Sequence, residues 1–141
     1  ETSGLVVVST PEEMPISETI DLLARAHEEV SIAPVMVVLN RRIIDVFSDD
    51  DRTIFERLRT TAVTESLTAQ CGPQATTVID GVALLDDICQ EQAEHESDLR
   101  NAVEVPVAVV PAFFVRDQGA RVMRHVSDAL MDPRNPIAGT A

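Results

Sequence analysis

The chain has 141 residues and a mass of 15.4 kDa, room for one domain with a substantial core. Its 24 acidic against 11 basic residues give a net charge of -13, which argues against nucleic acid as a partner, because phosphate backbones require clustered cations. Trp and Tyr are absent, no apolar run is long enough to span a bilayer, and two cysteines, Cys71 and Cys89, are too few for a disulfide scaffold. The expected setting is a reducing cytoplasm.

Taken in chain order, the first element is a strand, Leu5–Ser9, reached after only Glu1-Thr2-Ser3-Gly4. A start of this kind looks like a piece of something longer. Thr10-Pro11-Glu12-Glu13 carries a helix-start signature: a capping hydroxyl, Pro next and Glu three on. Pro15 restarts the chain just ahead of an apolar stripe of Ile16, Ile20, Leu23, His27 and Val30, spaced by four, three, four and three. Val35–Leu39 is the second strand, so residues 1–46 form a βαβ unit with a right-handed crossover. From Asp49 to Asn101 only helical periodicity is present, with a break at Cys71-Gly72-Pro73. One helix carries Ile54, Leu58 and Ala62, and a second runs from about Gly81 through Leu85, Cys89 and Ala93 to Leu99. This exceeds what a crossover requires, so residues 47–104 are expected to be an inserted helical lid. Val105–Val110 is the third strand, with Pro106 near its start. A last helix from Gly119 shows Val122, Met123, Val126, Ala129 and Leu130 on one face, closing a segment 105–132. The breaker-rich residues 133–141 read as a tail. Strands that are apolar on both faces suit a parallel sheet with helices on either side, an α/β class of Rossmann type.

In an open parallel sheet, ligands sit beyond the carboxyl ends of the strands. Those ends are Ser9-Thr10-Pro11-Glu12, Asn40-Arg41-Arg42 and Pro111-Ala112-Phe113-Phe114. Asn40 directly follows a buried run, and its planar amide has the chemistry to read a purine edge; capping or turning the chain is the alternative. Pro111 and Phe113 suit an apolar wall for a flat ring, or a turn and core.

Thr10-Pro11-Glu12, Glu18-Thr19, Val37-Val38-Leu39-Asn40-Arg41 and Pro111 through Gly119, in that order and spacing, resemble the second half of ArsA-type ATPases. These are the anion-pump and tail-anchored-protein targeting members of the MinD-like P-loop NTPases. The resemblance covers nearly the whole chain and is clearest at residues 5–42 and 105–130. It implies a P-loop NTPase-like fragment in which Asn40 contacts adenine, with Arg41 beside it, and Pro111, Ala112 and Phe113 lie along the base. It further implies ATP and Mg²⁺ as ligands of the intact protein, hydrolysis at a homo- or hetero-dimer interface, and a hydrophobic or membrane-protein client. Arg116 and Gln118 depart from the family's acidic residue and Arg before Gly119, and the zinc-clamping C-x-x-C of the eukaryotic targeting factors is missing. No Gly-rich phosphate loop exists in the chain, so the resemblance places that loop and the switch segments upstream of Glu1 and leaves residues 1–141 without hydrolytic activity.

Other constellations weigh less. Asp49-Asp50-Asp51 has the composition of a Mg²⁺ cluster, but carboxylates at a helix start more commonly serve the cap and macrodipole. Glu91, Glu94, Glu96 and Asp98 read as a solvated acidic face, and His27 as a core or boundary residue. Cys89 and His95 match no standard zinc spacing. Arg41 and Arg42 are placed to meet phosphate or a partner subunit, with solvent exposure or an ion pair as the common fate. The rival function is a non-hydrolysing α/β binding module. A flavodoxin-like or receiver-type domain is poorly matched by Ser9-Thr10-Pro11.

Overall fold

A computed structural model describes residues 3–26, 29, 32–45, 47–114, 119–132 and 134–135. His27 and Val30 of the expected stripe, Arg116 to Gln118 and most of the tail lie outside the described residues. The elements run β1 (Gly4–Ser9), α1 (Glu13–Arg25), β2 (Ala33–Arg42), α2 (Asp49–Leu58), α3 (Thr61–Cys71), α4 (Gln74–Ala102), β3 (Val107–Pro111) and α5 (Ala120–Leu130). The chain is α/β, with a three-stranded parallel sheet in the order β1-β2-β3. None of the described helices is long and apolar enough to cross a membrane.

Contacts divide the chain into two compact units, Glu1–Ile44 with Gln92–Ala141, and Asp45–Glu91. The first holds the sheet, α1, α5 and the last part of α4. Its core is Val7, Val37, Leu39 and Val107 from one sheet face, with Ile16 and Leu23 of α1 and Leu99 of α4. Leu39, Leu99 and Val37 have no solvent exposure.

The other face is unevenly covered. Ala108 and Val110 of β3 are buried, and α5 packs against β3. Val6 and Val8 of β1 are 46% and 63% exposed. The expectation that helices cover every strand on both sides therefore fails at β1, although its sequence is apolar on both faces. At the start of β1 the pairing slips, Leu5 facing Pro34 and Val6 facing Met36, which leaves Val35 as an extra residue. Val35 leans over Gly4, where a Cβ would sit 2.7 Å from its Cγ1, so a side chain at residue 4 would force Val35 to shift.

Several boundaries differ from the periodic reading. Glu12 is the N-cap of α1 with no side-chain cap, and Pro15 lies within the first turn, where its missing N–H costs nothing. The Thr10 hydroxyl is not the cap. Instead the Ser9 hydroxyl donates to the Pro15 carbonyl at 3.1 Å, tying β1 to the first turn of α1. The third strand starts at Val107 rather than Val105, because Pro106 has no ladder donor; its carbonyl accepts from Val37 N–H at 2.9 Å.

In the second unit the expected first helix is two, α2 and α3, separated at Arg59-Thr60. Its buried residue is Phe55, stacked on Phe47 at 5.5 Å, whereas Ile54 is 56% exposed. Gly72, at φ 86°, separates α3 from α4, which starts at Gln74 and carries Gly81 within it. Arg52 of α2 joins Asp86 of α4 at 3.0 Å and also pairs with Asp45. Ser48 and Asp51 form a reciprocal capping box on α2, and those bonds hold the Asp51 carboxyl below its ordinary range.

Candidate functional site

All three strands point the same way, so Ser9, Arg42 and Pro111 end at one edge of the sheet. The central strand ends irregularly. Asn40 pairs with Val110 and Arg42 with Pro111, so Arg41 is an extra residue between two consecutive partners. Its φ of 65° is left-handed, the only such value at a described non-glycine residue. One extra residue reverses the alternation of side chains along a strand. Asn40 thus shares the face of Val110, while Arg42 shares that of Val107 and Pro111.

The consequences for the three side chains differ. Arg42 is buried and pairs with Glu96 of α4 at 3.4 Å, while its guanidinium also donates to the Ile43 carbonyl. Glu96 takes a second arginine, Arg100, at 2.8 Å, and Gln92 one turn earlier accepts from Ile43 N–H at 2.8 Å. Arg42 is therefore a strut between β2 and α4 rather than a ligand group. Arg41 is exposed and makes no ion pair with a described residue. Asn40 is half-buried, and its amide makes no hydrogen bond to any described residue. Among the described residues it caps no helix and closes no side-chain turn.

The third strand end lies alongside. Ala112 N–H donates to the Arg42 carbonyl at 2.9 Å, extending the pairing by one residue beyond Pro111. Pro111, Ala112 and Phe113 are half-buried, and Phe113 stacks on His125 of α5 with ring centroids 5.3 Å apart. One face of Phe113 is thus already occupied. A cavity of about 260 Å³ bounded by Ile44, Pro111, Ala129 and Asn135 adjoins this end of β3.

The structure places Asn40, Arg41, Pro111 and Ala112 together at the end of β2 and β3, with Phe113 next in chain. The acidic run 49–51 is a helix cap, and among the described residues no group of His, Cys, Asp or Glu is arranged to hold a metal. Among the described residues neither Cys71 nor Cys89 is part of a disulfide. Of the acidic face, Glu91, Glu94 and Asp98 are exposed, but Glu96 is half-buried between two arginines. Its role escaped the sequence because the partner lies 54 positions away.

No protein-family model matches the chain, and no curated protein is significantly similar to it.

Proposed function

We propose that this strand-end edge binds the base of a nucleotide, and that the chain is the carboxyl-terminal part of an ArsA-type ATPase. The observation that carries the reading is Asn40. A planar amide, fixed on the central strand at the ligand-binding end of a parallel sheet, has its acceptor and both donors free of any described residue. That is the complement of a purine edge. Arg41 adds an exposed guanidinium that pairs with no described residue, held in a costly backbone conformation of the kind that concentrates at ligand sites. Pro111 and Ala112 supply apolar surface beside it.

Phosphoryl transfer requires a loop of phosphate-cradling amides, a Lys and a hydroxyl on Mg²⁺. With five glycines and no such loop, the chain supplies none of these, and the reading assigns ATP turnover, Mg²⁺ binding and dimer formation to the intact protein. In that protein, turnover drives movement of the helical unit toward a hydrophobic or membrane-protein client in the cytoplasm. The second reading is a module that binds a nucleotide or protein without hydrolysis; loss of the phosphate loop upstream of Glu1 would favour it, and an intact loop the ATPase.

Calorimetric titration of ATP into the intact protein tests the site. Asn40→Ala should weaken binding by about 1–3 kcal/mol, the cost of an unsatisfied polar partner, and reduce the preference for ATP over GTP. Unchanged affinity and base preference would overturn the assignment. Residues 1–141 alone should release no phosphate from ATP above a mock preparation.

A further inference from the structure

Three consecutive turns of α4 hold the end of β2. Gln92, Glu96 and Arg100 are spaced by four and share one face of the helix. Gln92 accepts from the Ile43 N–H at 2.8 Å, and Glu96 pairs with Arg42 at 3.4 Å. The other carboxylate oxygen of Glu96 pairs with Arg100 at 2.8 Å, and Arg100 in turn donates to the Val107 carbonyl at 2.9 Å. Glu96 is thus fixed from two sides. The side chain of Arg42 is only 10% exposed, so taking the charge from its partner is costly.

What this grip does depends on the bulge at Arg41. Val37 and Leu39 face the core, so Asn40 faces the opposite side by simple alternation. In a strand without the extra residue, Arg42 would stand on that same side, two positions beyond Asn40. A guanidinium there would lie beside the Asn40 amide, able to bond its carbonyl oxygen or to meet a ligand in its place. The two side chains read different purines: Asn suits N6 and N7 of adenine, whereas Arg suits O6 and N7 of guanine. The bulge sends Arg42 to the core face, where Glu96 receives it. That arrangement has a cost, the left-handed φ of 65° at Arg41, which any Cβ disfavours. The ion pair just beyond the bulge offsets it.

We infer that Glu96 is a positioning residue for base specificity: by holding Arg42 on the core face it keeps the bulge at Arg41 and removes from the face of Asn40 a side chain that would favour guanine. Its ligand is that of the base-binding reading above, on which this role rests; the link from Glu96 to the bulge holds or fails independently of it. Glu96 touches no ligand itself. It acts through Arg42, as specificity built against the wrong purine rather than for the right one.

Two measurements test it. In residues 1–141, cross-strand NMR contacts tell which residue stands opposite Pro111, which is Arg42 in the unaltered chain. Glu96→Gln keeps the shape of the side chain without its charge, and should bring Arg41 opposite Pro111. Adding Arg41→Gly should restore residue 42 to that place, because glycine adopts the left-handed conformation without strain. In the intact protein, calorimetric titration with ATP and GTP reads the consequence. Glu96→Gln should lower the ratio of ATP to GTP affinity at least fivefold, with GTP bound as tightly as before or more so. The double variant should return the ratio to within twofold of that of Arg41→Gly alone. A general loss of structure would weaken both nucleotides alike, and that result overturns the inference. So does residue 42 staying opposite Pro111 in Glu96→Gln, or a double variant that is not restored. Should Glu96→Gln alone unfold, the double variant must fold, and its failure to do so also overturns it. A ratio that Asn40→Ala changes but Glu96→Gln does not removes the role of Glu96 alone. A ratio unchanged in Asn40→Ala overturns the base-binding reading, and this role with it.

Discussion

β1 and β3 flank the same central strand, yet one is sealed and the other open. Of the outward groups of β3, the Val107 carbonyl meets Arg100 and both groups of Val109 meet Asn135, whereas those of β1 meet no described residue. The difference extends to the faces: Ala108 and Val110 of β3 are fully buried, while Val6 and Val8 of β1 are bare. An edge capped by the chain's own side chains is a boundary of the fold. An apolar, uncharged edge that no described residue caps leaves a ladder that a further strand can extend.

The sharpest test of that contrast compares the covered and the bare face. Leu99 sits without solvent contact against the sheet, so Leu99→Ala should destabilise the first unit by about 3–4 kcal/mol in urea unfolding. Val8→Thr, at a position 63% exposed, should change stability by less than about 0.5 kcal/mol. A cost at Val8 comparable to that at Leu99 would mean that the β1 face is already covered.

A smaller effect is expected at the sealed edge. Asn135→Ala removes both bonds to Val109 and one to the Ala129 carbonyl, leaving strand groups unsatisfied. The expected loss is about 1–3 kcal/mol, with exchange at the Val109 amide raised more than tenfold over that at Val37. Unaltered exchange at Val109 would show that Asn135 does not seal β3.

The sequence makes visible whatever depends on neighbours in the chain. Three β-branched runs, the α1 stripe and the break at Gly72 are local signals, and each marks a real element. Errors arise where one residue of phase matters. Phe55 rather than Ile54 faces inward, and the bulge at Arg41 sends Asn40 and Arg42 to opposite faces although no pattern in Asn-Arg-Arg announces it. Distance hides the rest: Glu96 with Arg42, and Asn135 with Val109, lie 54 and 26 positions apart. For the candidate site, the residue types and their place at the strand ends were legible. That the Asn40 amide meets no described residue, and that Phe113 stacks on His125, required three dimensions.

The finest adjustment of the sealed edge is electrostatic. Asp132 precedes Asn135 by three residues, and its own carbonyl accepts the Asn135 N–H at 2.8 Å. Its carboxylate is bound by both the side chain and the backbone N–H of Arg134, which lowers its pKa from 3.8 to about 2. A pKa lowered on folding means that the ionised form is favoured in the native state. The contribution is therefore complete above pH 3.8 and is lost as pH falls towards 2. Because these groups lie at the surface, salt and water screen the pair and the stability change should be small. The readout is a titration followed by NMR. Asp132 should titrate near pH 2, with the Asn135 side-chain amide signals moving along the same curve as the turn loosens from Val109. Arg134→Ala should return the midpoint towards 3.8 and carry the Asn135 signals with it. An Asp132 that titrates at its ordinary value in the unaltered chain, or Asn135 signals indifferent to its protonation, would separate this turn from the seal on β3.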